Sequence, residues 1–296
     1  MTNKRVSRAA AGLAALIFFF CIAPEPQLIQ ITFLGDIMLG RGVNSAAARS
    51  KNWRPFETLS PITQWADVLA GNLESPLTIA PVVTSGYALC APPNRVEVLK
   101  KASFDLVTLA NNHIHDCGDI GIEQTRASLQ SFGIQAVGPN PAYVIIKSHN
   151  RKLGFLALND VSVGLDLKSI IPIIQSAARQ SDLVIVSIHW GSEYQHEESM
   201  RQKVIAAALS RAGADIIIGH HPHVIQPMEM ISRGSQKPPT LVFYSLGNAL
   251  FDQHGLADTR TGEAVTLILG PGGAMQYSTK TFEIDPNNGV ILKILE

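Results

Sequence analysis

The stretch ADIIIGHHPHVIQP, residues 214–227, decides how this chain is read. A short run of isoleucines ends abruptly in His220, His221 and His223, arranged around Pro222. Continuous β-branched runs of this length suit strands buried on both faces. A polar cluster placed directly after such a strand sits at its carboxyl end, where open α/β sheets bind ligands. The whole chain has 9 histidines in 296 residues, so this concentration calls for a chemical reason. Pro222 fixes its own φ and is expected to push His221 toward an extended conformation, making the cluster a stiff turn.

Working outward, the same form recurs. LIQITFLGD (28–36), FDLVTLANNH (104–113) and DLVIVSIHWG (182–191) are each an aliphatic run followed by a polar group. Helical stretches are expected between such runs, at residues 120–132, 168–181 and 198–212. The alternation indicates an α/β fold with much of its sheet parallel. Toward the C-terminus, TLVFYSLGN, GEAVTLILG, MQYSTKTFEI and GVILKIL follow one another with Gly, Pro and Asn turns and no helix-length gap, which predicts an antiparallel meander. No Pro/Ser-rich linker divides the chain, so residues 27–296 are expected to form one domain.

Composition narrows the function classes. Lys+Arg and Asp+Glu balance at 24 each, with no long basic run, so the electrostatic footprint of a nucleic-acid binder is absent from the sequence. The first 26 residues read differently from the rest. Lys4, Arg5 and Arg8 precede an apolar run at residues 9–23, as in an export signal or N-terminal membrane anchor. A buried N-terminal helix is the plainer alternative. The export reading places the remainder outside the cytoplasm, membrane-anchored or secreted. In that oxidising setting Cys90 and Cys117 could pair, remain as buried thiols, or, for Cys117, offer a thiolate to a metal.

Strand ends collect the unusual polar residues: Asp36 and Arg41 in GDIMLGR, Asn72 and Glu74 in GNLES, and Asn111, Asn112, His113, His115 and Asp116 in ANNHIHDCG. His189 and Glu193 in HWGSEY, the GHHPH histidines, and Asn248 in SLGN complete the set. Each fragment alone has an ordinary reading: His189 as a satisfied core histidine, the Asn pair as a turn, GHHPH as a pH-sensitive loop. Together, imidazoles, carboxylates and carboxamides without clustered thiolates suit one or two divalent ions of the Mn, Fe or Zn class. Two such ions can clamp a phosphoryl group and activate water. Arg41 could hold a phosphate or carboxylate in a bidentate pair or form a surface salt bridge. Glu193 and Asp116 could orient imidazoles or lie in solvent.

The ordered series FLGDIMLGR, NLESPLT, LANNHIHDCGDIG, SIHWGSEY, GADIIIGHHPHVIQ and FYSLGNALFDQ, spanning roughly residues 29–253, resembles the bacterial capsule-synthesis CapA family. That family is linked to poly-γ-glutamate capsules and related to calcineurin-like metallophosphoesterases. The resemblance implies a four-layer α-β-β-α sandwich with mixed sheets and a metal site at the strand ends. It implies Asp36 as a ligand of one metal, Glu74 in the bridging position, Asn112 and His189 on the second metal, and His221 and His223 as one ligand to each. His113 would contact the substrate anion or protonate the leaving group, with His220 adjacent to the ligands. The expected partners are an anionic polymer or its precursor and a membrane synthase complex, the membrane being reached through the N-terminal segment. One position departs from the phosphoesterase pattern: Met38 stands where a histidine of an Asp-x-His motif would be. A thioether is a poor ligand for such ions, which leaves open a two-metal hydrolase, a one-metal site, or a binding site without turnover.

Overall fold

The structure is a computed structural model that describes residues 28–50, 52–80, 87–139, 143–235, 237–253, 255–285 and 289–295. The N-terminal segment read as an export signal or anchor (residues 1–26) lies outside the described residues. Among the described residues, no helix is long and apolar enough to cross a membrane.

In chain order the strands are β1 (Ile29–Ile37), β2 (Val68–Leu73), β3 (Leu106–Thr108), β4 (Gln135–Val137), β5 (Tyr143–Ser148), β6 (Arg151–Asn159), β7 (Leu183–His189), β8 (Ile216–His220), β9 (Ile225–Ile231), β10 (Thr240–Leu246), β11 (Asn248–Leu250), β12 (Thr261–Leu269), β13 (Met275–Ile284) and β14 (Ile291–Ile294). The helices are α1 (Arg41–Arg49), α2 (Ser60–Thr63), α3 (Val96–Lys101), α4 (Gly118–Ser131), α5 (Leu167–Gln180) and α6 (Met200–Ala212). The first sheet has the order β14-β13-β12-β1-β2-β3-β4, with β11 also pairing β1; the second has the order β5-β6-β7-β8-β10-β9. Both are mixed. β1 to β4 are parallel to one another and antiparallel to the β12 hairpin partner, while β6, β7, β8 and β10 are parallel with an antiparallel strand at each edge.

Strand alternation explains why these runs are apolar on both sides. Leu153, Phe155, Ile185, Ile216, Ile218, Leu241 and Phe243 face the first sheet, meeting Ile31, Phe33, Ala70, Leu106 and Val265 in one cluster. Their neighbours Leu156, Val184, Val186, Ile217 and Val242 face the other way, onto Ile174 and Ala177 of α5 and Ile205 and Leu209 of α6. A third cluster lies on the outer face of the first sheet, where Leu69 and Val107 pack with Val43, Leu99 and Leu129 from α1, α3 and α4. Three apolar interfaces between four layers make the expected α-β-β-α sandwich. Burying each such aliphatic side chain contributes about 1.5–3 kcal/mol.

The three long helices form where the sequence places them, shifted by one or two residues. α6 starts after Ser199, whose side chain and that of Gln202 form a reciprocal capping box. The predicted C-terminal meander is corrected in part. β12, β13 and β14 do form one, but TLVFYSL is β10, which pairs parallel with β8 in the other sheet. The chain then changes sheets within a single residue. Gly247 has φ +64, and a side chain there would meet the Thr261 carbonyl at 2.7 Å, so only glycine suits the crossing. Asn248 emerges beside Asp36 of β1.

Cys90 and Cys117 are joined in a disulfide with Cα atoms 6.0 Å apart, which settles the three sequence alternatives in favour of pairing.

Candidate metal centre

The carboxyl ends of β1, β2 and β3 from one sheet and of β7 and β8 from the other point the same way and converge. Beneath them, a hydroxyl pair ties the sheets together, Thr108 Oγ1 lying 3.0 Å from Ser187 Oγ. Asp36 ends the regular part of β1 and is fully buried. Its cross-strand neighbours by register are Asn72 on β2 and Asn248 on β11, so two carboxamides flank the carboxylate from both sides. Asn72 Nδ2 donates to Asp36 Oδ1 at 2.8 Å and reaches Glu74 Oε1 and His189 Nδ1, each at 3.4 Å. Two residues further along the strand direction, Glu74 lies on the same side, as alternation requires.

Two groups of ligand-competent atoms result, each with its members within 4.8 Å of one another: Asp36 with Glu74 and His189, and Glu193 with His221 and His223. The groups abut. The rings of His189 and His221 are 4.7 Å apart, and His223 Nδ1 lies 3.6 Å from Asp36 Oδ2. His189 Nε2 donates to Asn112 Oδ1 at 2.8 Å, which places Asn112 beside the first group. His223 Nδ1 donates to Asn248 Oδ1 at 2.9 Å, and Asn248 is fixed in turn by Gln253 and the Thr259 carbonyl. Such partners hold an imidazole in one orientation.

The GHHPH turn is stiff, but not in the way the proline predicts. His221 has φ +96 and His223 φ +59, so His221 is left-handed rather than extended. The conformation aims the His221 backbone N–H at Asp36 Oδ2, at 3.0 Å, and the Pro222 carbonyl accepts from the Tyr194 N–H at 2.8 Å. Left-handed backbone at residues with side chains costs energy and persists where surrounding bonds over-determine it. His220 Nδ1 lies 3.0 Å from Asp36 Oδ1 and has no aligned hydrogen bond.

The electrostatics suit a cation. Burial raises the Glu74 carboxyl well above its ordinary value, and the neighbouring Asp36 raises it further; Arg41 works in the opposite direction. Burial would raise Asp36 as well, but His220 and the fields of His223 and His189 outweigh it and hold that group well below the usual carboxylate range. Burial pushes His189 well below 6.5 and His221 down to about 4. Both imidazoles are therefore neutral at pH 7, the form that binds metals. Glu74 Oε2 and His221 Nδ1 are buried without a hydrogen-bond partner. A buried polar atom left unpaired costs about 1–3 kcal/mol, and a divalent ion would satisfy them. The residues present fit such an ion.

His113 sits at the rim, its Nδ1 donating to Asp116 Oδ2 at 2.9 Å, while the same carboxylate oxygen accepts the Leu89 N–H at 2.8 Å. Asp116 is therefore an orienting partner rather than a solvated charge. Arg41 pairs with Asp252, whose Oδ2 also accepts the Gly42 N–H at 2.8 Å. The ion-pair reading of Arg41 is thus realised, while the guanidinium still acts electrostatically on Glu74. Met38 is fully buried in the apolar cluster under the first sheet. The His115 side chain is exposed and lies 3.2 Å from Asp119 Oδ1, outside the centre.

The sequence-predicted ligands Asp36, Glu74, Asn112, His189, His221 and His223 are all brought together. Asn72 and Asn248 are the residues missed as site members. Both stood in strand-end motifs, but only strand register reveals that they flank Asp36. Glu193, held only as a possible orienter, instead completes the second group.

Comparison with known proteins bears on the same stretch. The model of the family described as "Bacterial capsule synthesis protein PGA_cap" matches residues 30–253. The chain is 31% identical to the PGA biosynthesis protein CapA of Bacillus subtilis over an alignment of 321 positions, gaps included, covering 96% of this chain and 80% of that protein. It is also 31% identical to the capsule biosynthesis protein CapA of Bacillus anthracis, covering 84% of this chain and 66% of that one. Among solved structures, a phosphatase from Mycoplasma pneumoniae superposes with a TM-score of 0.52 at 16% identity, covering 91% of this chain and 92% of that one. A structure described as "Putative 5'-Nucleotidase from Staphylococcus aureus" superposes with a TM-score of 0.50 at 11% identity, and these likenesses show a shared fold.

Proposed function

Because the chain belongs to the bacterial capsule synthesis protein family PGA_cap, we propose that it acts outside the cytoplasm as a metal-dependent hydrolase on an anionic capsule polymer or its precursor. The observation that carries this reading is the pair of abutting ligand groups with buried, partnerless Glu74 Oε2 and His221 Nδ1 between the strand ends. A bound divalent ion would supply Lewis acidity and lower the pKa of an attacking water.

The chain's own residues do the rest. Asp36, Glu74, Asn112, His189, Glu193, His221 and His223 would hold the metal. His113, with its Nδ1–H committed to Asp116, presents Nε2, which in the imidazolium form would carry the proton given to a leaving group or to a developing oxyanion. Arg41, held by Asp252, adds fixed positive charge beside Glu74. The Cys90–Cys117 disulfide supports an oxidising location, as does the basic and apolar segment at residues 1–26. That segment would carry the protein to the membrane and to a synthase complex.

The test combines metal analysis of purified protein with turnover assays on phosphoester and γ-glutamyl substrates. Bound metal, together with activity that is lost in His221→Ala, supports the reading. Metal-free, inert protein that still binds polymer sinks it. Met38, which packs in the core where the phosphoesterase pattern has a histidine, favours a second reading: an accessory that binds an anionic chain without turnover. Bound metal without activity on either substrate class would select it.

A further inference from the structure

At the end of the molecule away from the metal centre, the C-terminal ends of α5 and α6 and the loop after β9 enclose a groove of about 540 Å³. β8 runs from this groove to the metal centre, because Ala212 and Gly213 line the groove and His220 ends the strand. The two features are therefore separated by a strand's length, on the order of 20 Å.

Arg179, Arg211, Arg233 and Lys237 line the groove, and no Asp or Glu does. Arg233 is compensated by Asp215 at 2.8 Å, and its remaining donors go to the Pro238 and Ala214 carbonyls. Arg179, Arg211 and Lys237 are exposed, and their side chains make no ion pair or hydrogen bond among the described residues. The macrodipole accounts for a cation in the last turn of a helix, where Arg179 and Arg211 lie. It accounts neither for Lys237, which is on a loop, nor for the missing acids. In a chain with formal net charge 0, this is a local excess of positive charge in a concave surface, which focuses the field on an anion. No aromatic side chain lines the groove, so nothing there stacks on nucleobases.

We propose that this groove binds successive carboxylates of an acidic polymer, a polyglutamate chain, and holds it at a distance from the metal centre. The proposal rests on the capsule-polymer reading above and adds a second contact point for the same chain. Two separated contacts raise the effective concentration of polymer at the metal centre without a tight site at either.

Fluorescently labelled poly-γ-glutamate oligomers titrated with purified full-length protein, followed by anisotropy at about 50 and about 500 mM salt, test it. Saturable binding is expected that weakens with salt and falls about tenfold or more in Arg179→Ala/Arg211→Ala/Lys237→Ala. That variant should unfold within a few degrees of the parent temperature, because all three side chains are exposed and only the helix-end charges of Arg179 and Arg211 are lost. Glu74→Gln and chelator-treated protein lose at most the contact at the metal centre and should keep the salt-sensitive binding that the triple variant loses. Absence of binding by the parent, undiminished binding by the triple variant, or tighter binding of an oligothymidylate of equal charge overturns the proposal. Binding lost in Glu74→Gln but kept in the triple variant also overturns it, while leaving the hydrolase reading intact. Conversely, failure of the metal and turnover assays leaves this result standing, since anisotropy needs no metal.

Discussion

Glu74 and Asp36 show how one buried pair prepares for a cation. Burial and then the charge of Asp36 push the Glu74 carboxyl well above its ordinary value, while the neighbouring histidines hold Asp36 well below the usual carboxylate range. Metal binding should therefore release a proton, and Glu74→Gln should lower metal affinity about tenfold or more, read by calorimetry in two buffers of different ionisation enthalpy. His221 gives a pH signature in metal-free protein. Its folded value of about 4 lies below the ordinary 6.5. Between those values the unfolded chain binds the extra proton, so stability falls as pH drops through the window, by about 3 kcal/mol in all. Above 6.5 this histidine adds no slope. Glu74 acts oppositely, contributing stability at low pH and losing it as pH rises through its raised value. The His221 part is isolated by comparing denaturant unfolding of parent and His221→Asn at pH 7 and 4.5; an equal loss in both would refute it. At this scale the ligand types were legible because each follows its strand directly in the chain. Asn72 and Asn248 were not, because their importance lies in cross-strand register with Asp36.

Among the elements, the arm from β3 to α4 carries the chemistry least anchored by sheet. His113, Asp116 and Cys117 lie on it, and the disulfide to Cys90 ties it to the segment whose Leu89 N–H also bonds Asp116. Closing a separation of 27 residues removes unfolded-chain entropy worth about 3.5 kcal/mol. Cys90→Ser/Cys117→Ser should therefore unfold at a temperature lower by roughly 10 °C, measured by calorimetry, and should lose turnover more than metal content, since no metal-group residue lies between the two cysteines except Asn112. Loss of metal in step with activity would contradict this division. Helix positions were legible from the gaps between aliphatic strand runs. The fate of TLVFYSL was not, because a strand joins whichever sheet lets it bury both faces, and its immediate neighbours in the chain do not reveal that.

For the molecule as a whole, the metal centre is a joint between two sheets. The first group draws Asp36 and Glu74 from one sheet and His189 from the other. An ion there should stabilise the sandwich against separation of its halves. Mn²⁺ or Zn²⁺ at about a hundred times its dissociation constant should add about 2.7 kcal/mol, seen as a rise of about 5 °C or more in unfolding temperature that chelator reverses. No rise with any divalent ion would count against the centre.

The sequence by itself determined the alternating α/β pattern, the chemistry at each strand end and the family resemblance, because these follow from residues adjacent in the chain. Tertiary structure decided which of those ends meet. It brought two sheets rather than one to the site, turned His221 left-handed, set Glu193 beside His221 and His223, and gathered Arg179, Arg211 and Lys237 at the far end. These outcomes depend on strand register and layer packing, which are set by burial of apolar surface between residues far apart in the chain.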